Sequence, residues 1–151
     1  MKSRTGIVSH YHIAANNAAD VQQWKPALDE HKRIFGRAPH LATGDRGFWS
    51  AENETYAEEL GVKRTVLPGR GRLSAKRAAR QKERWFRRGQ AWRAGIEPRI
   101  STLKHCFEMA RAFYKGATGF ERYVGCCVIA QNLVAMIRAL KVKSKDQCRS
   151  G

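Results

Sequence analysis

Acidic side chains are scarce where basic ones are dense. Between Leu60 and Phe107 the chain has fourteen Lys or Arg and two acids, Glu83 and Glu97. That shortage excludes a surface neutralised by its own side chains and points to a polyanionic partner, nucleic acid first. The four cysteines, Cys106, Cys126, Cys127 and Cys148, form no CxxC pair and share no ligand spacing with the five histidines. Neither a zinc site nor a disulfide scaffold is expected, and a reducing cytoplasmic setting fits. The N-terminal MKSRTGIVSHYH has no apolar core of the kind a signal peptide needs. The most apolar run, Tyr123 to Ile137, is short for a membrane span and carries Gln131 and Asn132, so it reads as a buried core helix. No internal repeat is visible.

What is present is a strong asymmetry of charge. The 151 residues have a formal charge of +16, but residues 1–60 hold seven basic and eight acidic side chains, against twenty-two and five in residues 61–151. The length suits one domain, and the partner should lie against its second half.

The pattern of elements is α/β. Gly6 to Ala14 is rich in β-branched and aromatic residues and reads as a strand. Val21, Trp24, Leu28 and Phe35 recur at roughly helical spacing, with Asn17 as candidate cap, Pro26 as a possible kink and Gly36 as the stop. His40 to Trp49 reads as a short strand ending in a turn at Asp45 to Gly47. Ser50 caps a helix that Gly61 ends, and Val62 to Pro68 forms the next strand. Residues 69–90 then carry nine bases and one acid, as a flexible basic arm or a weak basic helix. A long helix from Ala91 to Phe113 and a closing helix from Phe120 to Leu140 follow. Residues 1–140 are read as the domain and residues 141–151 as a flexible tail.

Two carboxylates carry the chemical interest. On a continuous helix Arg93, Glu97 and Lys104 would fall within roughly 40° of one another, beside an apolar stripe. Taken alone, Arg93 and Glu97 are an ordinary ion pair, and Asp45 an ordinary turn former. Together, an aspartate at a strand end and a glutamate on a late helix are the kind of ligands that hold Mg²⁺ for phosphodiester chemistry. His10 and His12 alternate on the first expected strand without a third ligand, and Asp20 reads as a helix-start acid.

DRGFW, the spacing RxxxExxxxxxK from Arg93 through Glu97 to Lys104, and GxxGFERYVGxxVxAxNL together resemble the C-terminal part of DDE transposases of bacterial insertion sequences. The resemblance spans roughly Gly6 to Leu140. It implies an RNase H-like mixed sheet flanked by helices, in which three carboxylates hold two Mg²⁺ or Mn²⁺ ions. On that analogy Asp45 is the second acid and Glu97 the third, both metal ligands, while Arg93 and Lys104 contact phosphate or steady the site. Arg70, Arg72, Lys76, Arg77, Arg80, Arg84, Arg87, Arg88 and Arg99 would track double-stranded DNA, at transposon ends and target. Trp85, Phe86 and Trp92 stack on bases or pack.

Two departures follow. Gln90 stands where the family signature often has tyrosine, and no residue matches the first aspartate. The expectation is therefore a truncated copy, inactive in isolation, acting in the cytoplasm at the nucleoid and pairing with itself or with a full-length transposase. The competing expectations are a non-catalytic DNA-binding or regulatory remnant and, on charge alone, an RNA-binding accessory protein.

Overall fold

The computed structural model describes residues 6–13, 19–106 and 114–149, apart from the side chains of Arg99 and of residues 141–149. The chain divides into two compact units, Ala14–Ile96 and a second made of Met1–Ile13 with Glu97–Gly151.

The first unit is built on a β–α–β core. α1 (Asp20–Phe35) opens on Ala19 and ends at Gly36, whose φ of 66° gives the left-handed stop the sequence anticipates. The candidate cap Asn17 lies outside the described residues. β1 (Leu41–Thr43) leads to a 3₁₀ turn at Arg46–Phe48 and then to α2 (Ala51–Leu60). Ser50 caps α2 by accepting from the Asn53 amide, and Gly61 ends it at φ 98°. β2 (Arg64–Val66) pairs parallel with β1, Leu41 opposite Arg64 and Thr43 opposite Val66. Two strands alone make a marginal sheet, so packing must supply the stability. Trp24, Leu28, Ala42, Ala57, Val62 and Leu67 form that core. Asn53, 2 % exposed, ties it together: its amide donates to the Val21 and Phe48 carbonyls at 2.8 Å each, and its own carbonyl accepts from Trp24 Nε1.

The basic segment is folded. α3 (Ala75–Lys82) and α4 (Arg84–Ala94) meet at Glu83, whose extended backbone ends one helix and begins the other. α4 lays Phe86 and Gly89 inward, so closely that a Cβ on Gly89 would stand 2.6 Å from Val66 Cγ2.

Two expected elements are corrected. No continuous helix runs from Ala91: α4 stops at Ala94 with Gly95 as cap, and α5 (Glu97–Cys106) starts afresh. Pro98 has no amide hydrogen to bond back into a preceding turn, and the first turn of a helix is where that loss costs nothing. Residues 107–113, which include the expected helix end at Phe113, lie outside the described residues. The segment 6–13 is not a strand either. Its Val8 amide and carbonyl are held at 2.8 Å by the side chain of Asn132 in place of a neighbouring strand; Ala14 falls outside the described residues.

The second unit contains that segment, α5 and α6 (Gly116–Arg149), which runs past Leu140. The expectation of a buried core helix holds for one face only. Val124, Cys127, Val128 and Gln131 are buried, whereas Ile129, Leu133, Met136, Ile137 and Leu140 are exposed. Cys126 faces solvent while its neighbour Cys127 is buried. By length and composition Gly116–Leu140 could cross a membrane.

Candidate nucleic-acid and metal-binding site

Asp45 stands two residues beyond the C-terminal end of β1, where side chains of open α/β units commonly meet ligands. Its position is set by the turn it starts. Oδ1 accepts from the Gly47 amide at 2.8 Å, capping the 3₁₀ turn, and Oδ2 faces Arg93 Nη2 at 3.3 Å. Both side chains keep about a third of their surface, 39 % and 34 % exposed.

Asp20, read from the sequence as a helix-start acid, is indeed the first residue of α1. It also meets Asp45. A Cβ on Gly47 would lie 2.3 Å from Asp20 Oδ2 and 2.9 Å from Asp45 Oδ1. Those two oxygens are thus within about 5 Å of each other, so the two carboxylates stand side by side at the turn. A side chain at position 47 would push these carboxylates aside. Sequence offers no signal for this meeting, since 25 residues separate the two acids and only folding brings them together.

Asp20, Asp45, Gly47, Arg70, Gln90 and Arg93 line a cavity of about 470 Å³. Arg70 is aimed there by its Nε, which donates to the Arg46 carbonyl at 2.8 Å. With Arg46 also in the wall, the cavity sets two carboxylates against three arginines, an arrangement suited to a divalent cation beside a phosphate. Gln90, where the resembling signature has tyrosine, is part of the wall.

Glu97 begins α5, in the other unit, and shares an exposed face of that helix with Lys104 seven residues on. Arg93 is on α4, so the single helical face proposed for Arg93, Glu97 and Lys104 does not exist. Gly95 and Pro98 break it. Among the described residues no group of three or more His, Cys, Asp or Glu converges to hold a metal. His10 and His12 are exposed.

The expected DNA-contacting cations divide into two sets. Lys76, Arg70, Arg72, Arg84, Arg87 and Arg88 are exposed. On α4, Arg84, Arg87 and Arg88 lie on the face opposite Phe86 and Gly89, at helical spacing. Arg77 and Arg80 are half-buried. Arg77 forms a two-pronged bond to Glu54, at 2.7 and 2.9 Å, donates to the Leu67 carbonyl and lies 4.6 Å from the Trp49 ring. Arg80 approaches the same carboxylate at 4.0 Å and covers Trp85. Glu54, which from the sequence reads only as an acid suited to the first turn of α2, is what holds these two cations into the fold. The side chain of Arg99 lies outside the described residues. Of the three aromatics, Phe86 is 1 % exposed and packs in the interior, whereas Trp92 is open to solvent.

A parallel β–α–β unit with an acid at the strand end and a helix of exposed arginines defines the class: an α/β protein with a strongly basic helix face. The profile of the Transposase DDE domain family matches residues 1–133, and the chain belongs to that family. Its members act in DNA transposition, bind DNA and generally use divalent metal ions. No curated protein matches significantly, and neither does any solved structure.

Proposed function

We propose that this chain takes part in metal-dependent DNA strand cleavage and transfer, with Asp45 and Glu97 as metal ligands. The observation that carries this reading is Asp45. It stands at the end of β1 with Asp20 beside it and Arg93 and Arg70 across the same cavity. The chemistry of these donors fits Mg²⁺ or Mn²⁺, which prefer carboxylate oxygens. When bound, such ions activate water or a DNA 3′-hydroxyl toward a phosphodiester and stabilise the leaving oxygen.

The chain's own residues do the rest. Arg93 and Arg70 hold phosphate at the cavity mouth, Lys104 holds the strand near Glu97, and the arginines of α4 track the backbone of double-stranded DNA. The parallel pairing of β1 and β2 across α2 supports an RNase H-like arrangement. Such a protein works on chromosomal DNA in the cytoplasm.

A second reading, a DNA-binding regulator without catalysis, is favoured by the lack of a three-ligand cluster among the described residues. A cleavage and strand-transfer assay with Mn²⁺ on the purified chain separates the two. Activity abolished by both Asp45→Ala and Glu97→Ala supports the first reading. DNA binding that both variants retain, with no cleavage by the parent chain, supports the second.

A further inference from the structure

A second cavity of the first unit, about 430 Å³ in volume, differs in chemistry from the one that holds Asp45. Arg70 stands in the wall of both. The Asp45 cavity carries two carboxylates, whereas among the described residues no acid lines this one. Trp49 and Leu73 give it an apolar wall, and Arg70, Arg72, Lys76 and Arg77 surround that wall with positive charge. Arg77 is already neutralised by Glu54. Arg70, Arg72 and Lys76 form no ion pair with any described acid. Three uncompensated cations therefore converge on one small, partly apolar hollow.

Two further features point to an anionic occupant. The cavity reaches the N-terminal end of α3, where Ser74 caps the helix and the helix dipole favours negative charge. In addition, Trp49 Nε1 and Arg77 Nε are buried and have no hydrogen-bond partner in the protein. Buried donors are nearly always paired. Two orphans in side chains of one wall ask for a partner that the chain does not itself supply.

We infer that this cavity binds a free nucleoside polyphosphate, with its base against Trp49 and Leu73 and its phosphates on Arg70, Arg72 and Lys76. A volume of about 430 Å³ is near the small end of the roughly 300–1,000 Å³ typical of ligand sites, room for one nucleotide. The guanidinium of Arg77, 4.6 Å from the Trp49 ring, adds a planar cation on which a base can stack. The three remaining cations answer the clustered charge of a polyphosphate. The phosphates of a duplex are instead spread along it, about 3.4 Å of rise apart on each strand. They suit a row of cations such as Arg84, Arg87 and Arg88 on the outward face of α4. Arg72 and Lys76 thus belong to a pocket rather than to that row. This inference does not depend on the role of Asp45.

The test is isothermal titration calorimetry on the nuclease-treated full chain, in EDTA to keep divalent ions from the Asp45 cavity. ATP, inorganic tripolyphosphate and adenosine are the separate probes. Expected is one ATP per chain, with tripolyphosphate and adenosine each at least tenfold weaker. Leu73→Asp, which sets a carboxylate in the wall, and Trp49→Leu should each weaken ATP at least tenfold, with an unchanged far-UV circular dichroism spectrum. Both residues line this cavity and not that of Asp45. Should Trp49→Leu fail to fold, Leu73→Asp, in the loop before α3, carries the test alone. Tripolyphosphate that binds as tightly as ATP overturns the proposal, because the hollow is then a general basic patch. ATP binding indifferent to the substitutions overturns it too. So does a chain that binds no ATP; if a single-stranded oligonucleotide then loses affinity in Leu73→Asp, the occupant is a nucleotide of a DNA strand.

Discussion

Replacing Arg77 by Met tests whether this arginine belongs to the fold or to the DNA interface. Glu54 is 12 % exposed at its side chain and Arg77 18 %. Removing one member of a fully buried pair costs about 3–5 kcal/mol, because the other charge is left without compensation. Here Arg80 stands 4.0 Å from the same carboxylate, and both groups retain some solvent, so about 2–3 kcal/mol is expected. The Leu67 carbonyl also loses its partner and Trp49 its stacked guanidinium, adding about 1 kcal/mol. Urea unfolding followed by circular dichroism should show a lower midpoint with an unchanged slope. In the double variant Glu54→Gln/Arg77→Met at least half of the loss should return, since the buried carboxylate charge is gone and Arg80, 35 % exposed, is left with solvent as its partner. A change below about 0.5 kcal/mol in Arg77→Met, joined to a loss of DNA affinity, would refute the reasoning and move Arg77 among the phosphate contacts.

Arg87→Ala and Arg88→Ala should each weaken duplex DNA binding and lower the salt slope by about one, without shifting the melting temperature; fluorescence anisotropy across a salt series checks this. Gly89→Ala inverts an ordinary expectation. Alanine within a helix usually gains about 1 kcal/mol over glycine, but a Cβ here would stand 2.6 Å from Val66 Cγ2, so thermal melting should show a net loss. The pKa of His31 is lowered from 6.5, first by burial and then by the charge of Arg37. The folded state therefore takes up this proton less readily than the unfolded one. Stability contributed in this way is complete above pH 6.5 and is lost as pH falls toward and below the folded pKa. His31→Gln should remove that slope from stability measured between pH 7.5 and 5.

Much of the first unit was legible because its signals are local. Ser50, Gly36 and Gly61 each act within one turn of backbone, and the structure uses all three as expected. The errors arose where a local pattern met a longer constraint. Gly6 to Ala14 has strand composition, yet Val8 finds its hydrogen-bond partner in a side chain 124 residues away. The helical face through Arg93 and Glu97 assumed continuity across Gly95 and Pro98, and those two residues deny it. Glu54 looked like a helix-start acid, and its pairing with Arg77 depends on β2 and the loop after it bringing α3 back to α2. Asp20 and Asp45 meet for a similar reason. Neither junction has a spacing that a single sequence could reveal.

The two carboxylate–arginine pairs of the first unit show why one is suited to chemistry and the other to structure. Glu54 and Arg77 are joined by two short bonds in a largely dry setting, so separating them exposes a charge to a poor solvent and is costly. Asp45 and Arg93 touch through one nitrogen at 3.3 Å, each with about a third of its surface in water. A pair of that kind contributes about 0–1 kcal/mol. It can be opened by a competing cation at little cost, and solvent can reach both groups while it opens. On the proposed reading Asp45 would hold a metal ion through Oδ2, and Arg93 and Arg70, which line the same cavity, would supply the positive charge a phosphate needs. The Gly47 amide does not have to move, because it binds Oδ1 while Arg93 holds Oδ2. One oxygen anchors the turn and the other remains exchangeable.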